Sequence, residues 1–201
     1  MKTQTIRSFI AIPLPQATQQ TIADWLSALQ KRQKNGVRWV DAAKMHLTMK
    51  FLGDITPEQV PIVQQEMQAV TAEYPVFSFD LKGLDGFPGV YKPRVVWVGV
   101  IAPPVLQQLH HDLVTRLADI GFPAEERKFS PHLTMGRISR HASEKDIAGV
   151  SNLLRQPPKI ALSGIPVDSL HFYHSDLRPG GSVYHLLGQA HLKENDSPLS
   201  K

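Results

Sequence analysis

Apolar residues recur along this chain with two periods, about 3.6 and 2, and the switch between them divides it into helices and strands. The run RSFIAIPL over 7–14 is β-rich and closed by prolines, which predicts a first strand. Over 16–34, Ile22, Trp25, Leu26 and Leu29 share one helical stripe, and Asn35-Gly36 stops it. A short strand, VRWV, follows over 37–40. Thr56-Pro57-Glu58 opens a second helix, with Thr56 as N-cap, Pro57 at the first helical position and a stripe through Val60, Val63, Met67 and Val70. Strands are expected over 76–84 and 94–101, around the turn DGFPGVYKP. A helix over 103–120 ends at Gly121, and Ser143 caps another that runs to about 154. The chain closes with β-rich runs over 160–175 and 182–192, separated by DLRPGG. Residues 194–201 are polar and expected to be a flexible tail.

Two of the period-2 runs carry the same tetrapeptide. MHLTMKFLG over 45–53 holds His46-Leu47-Thr48-Met49, and FSPHLTMGRI over 129–138 holds His132-Leu133-Thr134-Met135, 86 residues later. Side chains alternate between the faces of a strand, so His and Thr two residues apart point the same way. Ideal alternation puts His46, Thr48 and Lys50 on one face and turns Leu47, Met49 and Phe51 to a core. It likewise separates His132 and Thr134 from Leu133 and Met135. Both halves of the chain read strand, helix, His-x-Thr strand, helix, strand pair. That pattern is a duplication of architecture with little identity beyond the motif.

Composition narrows the class without naming a function. The 201 residues are 42% hydrophobic and 20% charged, which fits a globular chain with a real core and argues against disorder. No apolar run approaches the roughly 18 residues of a membrane span. The apolar stretch after the N-terminal basic residues is short and broken by Pro13, so no export signal is read and a cytoplasmic location is expected. The absence of cysteine excludes disulfides, thiolate catalysis and Cys-ligated zinc. A net charge of +4 and a pI near 9.4 are compatible with a polyanionic partner. No phosphate-cradling P-loop and no RRM or KH signature is present.

Three readings of the repeated motif compete. Ordinary strand histidines would not recur in one tetrapeptide at equivalent places. A metal site lacks ligands, because no carboxylate shares the histidine faces and His171 and His174 do not lie on one strand face. Paired acid–base chemistry fits best. Imidazole titrates near pH 6.5, so one copy can take a proton from water while the other protonates a leaving oxygen. Each role is typically worth about 10²–10⁴-fold. Thr48 and Thr134 add hydroxyl donors for an anionic oxygen. This set suits in-line displacement at phosphorus with no metal and no cofactor.

At these residues the chain resembles the 2H phosphoesterases, which are named for two His-x-Thr/Ser motifs. It is most similar to the RNA 2′,3′-cyclic phosphodiesterase branch, first described as 2′-5′ RNA ligases. RSFIAI, HLTMKFLG, RVVWVG and PHLTMGR occur in that branch's order and span nearly the whole chain. The resemblance implies an α+β fold, a single domain over 1–193 whose two pseudo-symmetric lobes place antiparallel sheets along a central cleft with helices outside. It implies His46 as proton donor, His132 as proton acceptor, and a 2′-phosphomonoester product. RNA or an oligonucleotide with a 2′,3′-cyclic phosphate end is the expected partner. The alternatives are 2′-5′ ligation, hydrolysis of small cyclic nucleotides, or a non-catalytic nucleotide- or RNA-binding module. A monomer is expected, because one chain carries both motifs.

Further candidates are assigned to substrate or phosphate. Arg137 alternates away from Thr134 in an ideal strand and would need a bulge at Gly136 to turn back. Arg94 opens an apolar strand after a turn, where a guanidinium can clamp phosphate. Phe51 is read chiefly as core, with base stacking as its functional role. Tyr184 is placed at the cleft floor or in cross-strand packing. Lys50 is read as cleft potential or a solvated edge. His110, His111 and His141 are read as surface residues, and the basic stretches over 31–34 and 127–128 as solvated faces.

Overall fold

Local strand propensity builds the ladders, and a computed structural model shows how they pair. It describes residues 5–126, 128–178 and 181–194. Arg127 and the tail over 195–201 lie outside the described residues. In chain order the elements begin with β1 (Ile6–Pro13), α1 (Gln16–Arg32), β2 (Val37–Trp39), β3 (His46–Ile55) and α2 (Gln59–Thr71). Next come β4 (Phe77–Phe87), β5 (Val95–Ile101), α3 (Pro104–Asp119), β6 (His132–Ile138) and α4 (Glu144–Arg155). Three strands close the chain: β7 (Ala161–Val167), β8 (Ser169–Arg178) and β9 (Gly181–His191). A four-stranded antiparallel sheet has the order β3-β1-β8-β9, and a five-stranded one the order β2-β6-β5-β4-β7. This is the expected α+β architecture, two antiparallel sheets with helices outside.

The sheets are not consecutive halves of the sequence. β8 and β9 leave the second half to complete the sheet of the first motif. β4 and β5 complete the sheet of the second. The run expected over 160–175 is split at Asp168, where β7 ends in one sheet and β8 begins in the other. Strand propensity is local and does not choose a partner, so this crossover is invisible in the linear pattern.

One face of each sheet is packed by helices. Gln64 Nε2 of α2 donates to Leu187 O of β9 at 2.6 Å, and the Tyr74 hydroxyl after α2 donates to Asp112 of α3. On the other sheet, Leu154 of α4 closes so tightly on Gly86 that a Cβ there would lie 2.8 Å from its Cδ1. Arg32 and Gln33 at the end of α1 donate to the backbone carbonyls of Gln156 and Asp146. Ile10, Ile12, Leu47, Val96, Val98 and Leu133 are fully buried beneath these helices. Each such side chain contributes about 1.5–3 kcal/mol relative to exposure.

Ser143 caps α4 as expected, accepting from Asp146 N at 3.2 Å while the Asp146 carboxylate accepts from Ser143 N at 2.9 Å. Thr56 does not cap α2. The Gln59 carboxamide reaches back to accept from Thr56 N at 2.9 Å, residues 56–58 form a turn, and the helix starts at Gln59.

Candidate active site

Both histidine strands break their alternation at the same place. In β3, Ile10 faces Lys50 and Ala11 faces Thr48, so Met49 has no partner of its own. In β6, Val96 faces Gly136 and Trp97 faces Thr134, which leaves Met135 unpaired in the same way. Each is a β-bulge, and an extra residue moves everything after it to the opposite face. Leu47 and Met49 stay in the core, but Lys50 now joins them and Phe51 turns to the side of His46 and Thr48. In β6, Gly136 joins Leu133 and Met135 in burial, while Arg137 turns to the side of His132 and Thr134.

This corrects two expectations drawn from ideal alternation. Phe51 is not a core residue: it is 55% exposed on the histidine face. Lys50 neither faces the cleft nor lies at a solvated edge; it is 4% exposed, and its Nζ donates to Pro123 O at 2.6 Å. Arg137 does turn back through a bulge, as its role required, with Met135 rather than Gly136 the unpaired residue. Phe51 and Arg137 are each the fifth residue after their histidine, so one device serves both copies.

β3 and β6 are in contact along the seam between the sheets, and the faces turned from the helices carry both motifs. His46 Nδ1 lies 2.9 Å from Lys44 O, and His132 Nδ1 lies 2.7 Å from Ser130 O. A carbonyl only accepts, so geometry assigns the proton to Nδ1 in both rings. Each Nε2 is left for chemistry, as acceptor when neutral and donor when protonated. A 3₁₀ turn over Ala42–Lys44, capped by the Asp41 carboxylate, delivers the Lys44 carbonyl to its place.

Aromatic rings hold both imidazoles. His46 stacks on Phe9 at 4.7 Å and meets Tyr184 edge-on at 5.2 Å. His132 meets Phe87 edge-on at 5.0 Å and Trp97 at 5.8 Å. Burial holds His46 below the ordinary imidazole range, and its hydrogen bond to the Lys44 carbonyl opposes that shift. His46, Lys44, Tyr173 and Tyr184 line a cavity of about 280 Å³. Thr48 and Thr134 are half-buried on the same faces as their histidines.

Tyr184 lies where it touches both His46 and Phe9. Arg94 is different. It is exposed one residue before β5, and continuing the Val95–Arg137 register puts it opposite Ile138, whose side chain packs on the core. The register therefore does not bring Arg94 to the histidine face. Its backbone instead pins the strand end, donating to Phe87 O at 2.6 Å and accepting from Ile138 N at 2.9 Å. His110 is half-buried rather than fully exposed, its ring stacked on Phe129 at 3.6 Å. Burial, then the charges of Lys50 and His111, push its pKa down to about 4. His111 and His141 are exposed, as expected.

Sequence reasoning missed Phe9, Phe87, Trp97 and Tyr173, which read simply as apolar strand residues. It also missed Arg38. Val37 and Trp39 pack on the core, so Arg38 between them faces the other way, directly opposite Arg137. Two guanidiniums side by side repel each other unless an anion lies between them. Neither makes a side-chain ion pair among the described residues. The alternation of VRW contains the facing, but the pairing with Arg137 arises only in the sheet.

Residues 12–97 match the family described as LigT like phosphoesterase. The chain is 32% identical over 182 residues to the RNA 2′,3′-cyclic phosphodiesterase of Thermotoga maritima, covering 90% of this chain and 93% of that protein. It is 27% identical over 179 residues to the one of Archaeoglobus fulgidus, covering 89% and 96%. Among solved structures, E. coli LigT complexed with 3′-AMP superposes with a TM-score of 0.72 at 25% identity, over 94% of this chain and 99% of that one. TT0787 of Thermus thermophilus reaches 0.76 at 23% identity over 93% of this chain and 98% of that one, which bears on the fold alone.

Proposed function

This chain belongs to the LigT like phosphoesterase family, and from that premise we propose that it hydrolyses 2′,3′-cyclic phosphate ends of RNA or oligonucleotides to 2′-phosphomonoesters. The observation that carries the mechanism is the identical local build of the two motifs. Each has its bulge at the Met, its Nδ1 on the backbone carbonyl two residues earlier, and its threonine on the face of its histidine. Water attacks phosphorus and gives its proton to Nε2 of His132. The P–O3′ bond breaks as Nε2–H of His46 protonates O3′. Thr48 and Thr134 donate to the non-bridging oxygens, and Arg137 with Arg38 balances their charge.

The walls support this division of roles. The leaving O3′ stays on the ribose, so the proton donor belongs on the nucleoside side. The exposed ring of Phe51 and the Phe9–Tyr184 wall lie beside His46 and suit a nucleoside. The Arg38–Arg137 pair lies further along the strand that carries His132, on the same face. A monomer in the cytoplasm belongs to the same proposal, with both motifs supplied by one chain. No described helix is long and apolar enough to cross a membrane.

The test is turnover of a 2′,3′-cyclic-phosphate oligonucleotide in excess EDTA by wild type, His46→Ala and His132→Ala. Release of a 2′-phosphate by wild type is expected, with each variant slower by about 10²–10⁴-fold. No turnover by wild type, or activity abolished by EDTA and restored by zinc, would overturn the mechanism.

A further inference from the structure

We propose that the open face of the four-stranded sheet is a track for the RNA strand upstream of the cyclic phosphate, running from β3 toward β9. This rests on the hydrolase reading for its starting point, the phosphate at Thr48. Two rows of side chains cross the sheet there. The first follows one register line, Phe51–Phe9–Tyr173–Leu186, over all four strands. Phe51 and Leu186, at its ends, are 55% and 52% exposed, although both are large and apolar. Phe9 is covered by His46, Tyr173 and Tyr184, so the rings of Tyr173 and Tyr184 form the middle of the surface. Exposed apolar residues and aromatics in a line across an open sheet are what unstacked bases lie on.

The second row, Thr48–Ala11–His171–Gln189, runs beside the first and is polar except for Ala11. Neighbouring strands are about 4.8 Å apart, so His171 lies about 10 Å and Gln189 about 14 Å from the threonine. His171 Nδ1 and the Tyr173 hydroxyl, 2.9 Å apart, tie the rows together. The polar row ends in a cavity of about 340 Å³ lined by Pro13, Pro166, Asp168, His171, Gln189 and His191. Pro13 and Leu14 line both that cavity and the cavity of His46, so the two adjoin at the end of β1.

The chemistry of this far end selects its occupant. The Asp168 carboxylate opposes a phosphate. Among the described residues no group of three or more His, Asp or Glu is placed to hold a metal ion. Proline faces with imidazole, carboxamide and carboxylate edges suit a nucleobase, which stacks on the first and hydrogen-bonds to the second. The track therefore favours an oligonucleotide over a cyclic mononucleotide, and most of that preference comes from residues that never touch the reacting phosphate.

The experiment compares kcat/KM for 2′,3′-cyclic AMP and for a pentanucleotide ending in a 2′,3′-cyclic phosphate, in wild type, Leu186→Ala and Gln189→Ala. Both side chains are exposed, so both variants are expected to fold. Wild type is expected to prefer the pentanucleotide. Each variant should lose about tenfold on that substrate and less than twofold on the mononucleotide. In parallel, fluorescence anisotropy measures binding of a 3′-phosphorylated pentanucleotide that cannot be turned over, and the variants should bind it more weakly. Wild-type binding and wild-type kcat/KM in both variants would overturn the track while leaving the hydrolase reading intact. Absence of turnover by wild type on either substrate would remove the hydrolase reading, and the binding comparison would still decide the track.

Discussion

Gly136→Ala asks whether the bulge that presents Arg137 depends on the strand packed against it. A Cβ at Gly136 would lie 2.7 Å from Val37 Cγ1 and 3.0 Å from Trp39 Cε3, short of the 3.4 Å at which ordinary contact begins. Both clashes come from β2, a strand of only three residues. Valine is stiff about its first side-chain torsion, and the Trp39 ring packs on the core, so side-chain rotation gives little relief. Relief comes from an outward shift of β2. Overpacking of this kind costs about 1–3 kcal/mol, which for a chain of this size lowers Tm by roughly 2–12 °C. The same shift draws Arg38 away from Arg137, so kcat/KM on a cyclic-phosphate oligonucleotide should fall by about tenfold, the effect of about 1.4 kcal/mol. Urea unfolding and steady-state turnover report the two effects separately. Gly89→Ala, where a Cβ meets nothing within 4 Å, is the control. Wild-type stability in Gly136→Ala would refute the packing argument. Lost stability with unchanged kcat/KM would refute the link from β2 to the site.

The pH profile distinguishes the roles of the histidines. As proton donor, His46 must be charged, so activity falls as pH rises through its pKa. Burial holds that pKa below 6.5 in the free protein, and a bound phosphate anion raises it. Because kcat/KM reports the free enzyme and kcat the complex, the alkaline limb of kcat should lie at higher pH than that of kcat/KM; coincident limbs would contradict the assignment. His110 should make the fold acid-sensitive. The unfolded chain takes up its proton below about 6.5, whereas the folded ring stays neutral down to about 4. Stability from this residue is therefore complete above 6.5 and lost as pH falls through 4, by about 2 kcal/mol once discounted for partial exposure. A His110→Phe variant that unfolds in urea with the wild-type pH dependence over that window would refute this. Arg38→Ala should separate function from stability: kcat/KM drops by about tenfold, while removing a like charge opposite Arg137 leaves thermal stability unchanged or slightly higher. A clear loss in Tm would mean that Arg38 supports the fold.

Much of this protein is legible in its sequence because helices, strands and their buried faces follow short-range periodicity. The stripe of Ile22, Leu26 and Leu29, the capping box at Ser143 and the two His-x-Thr pairs all depend on neighbours within a few residues. They stand as read. What failed did so where one strand's geometry depends on another. A bulge is a mismatch between two ladders, so neither HLTMKF nor HLTMGR alone reveals that Lys50 is buried and that Phe51 and Arg137 face outward. The crossing at Asp168, which sends β7 and β8 to different sheets, likewise follows from which edges are free, not from β-propensity. Arg38 gains its meaning only when β2 pairs with β6 and sets it opposite Arg137. Short-range pattern is enough for most of the elements, for the apolar stripes of the core and for the paired His-x-Thr motifs, His46 with His132, since these are local in physical origin. The tertiary structure decided which side chains share the open face with that pair, because facing in a sheet is set by register between segments far apart in the chain.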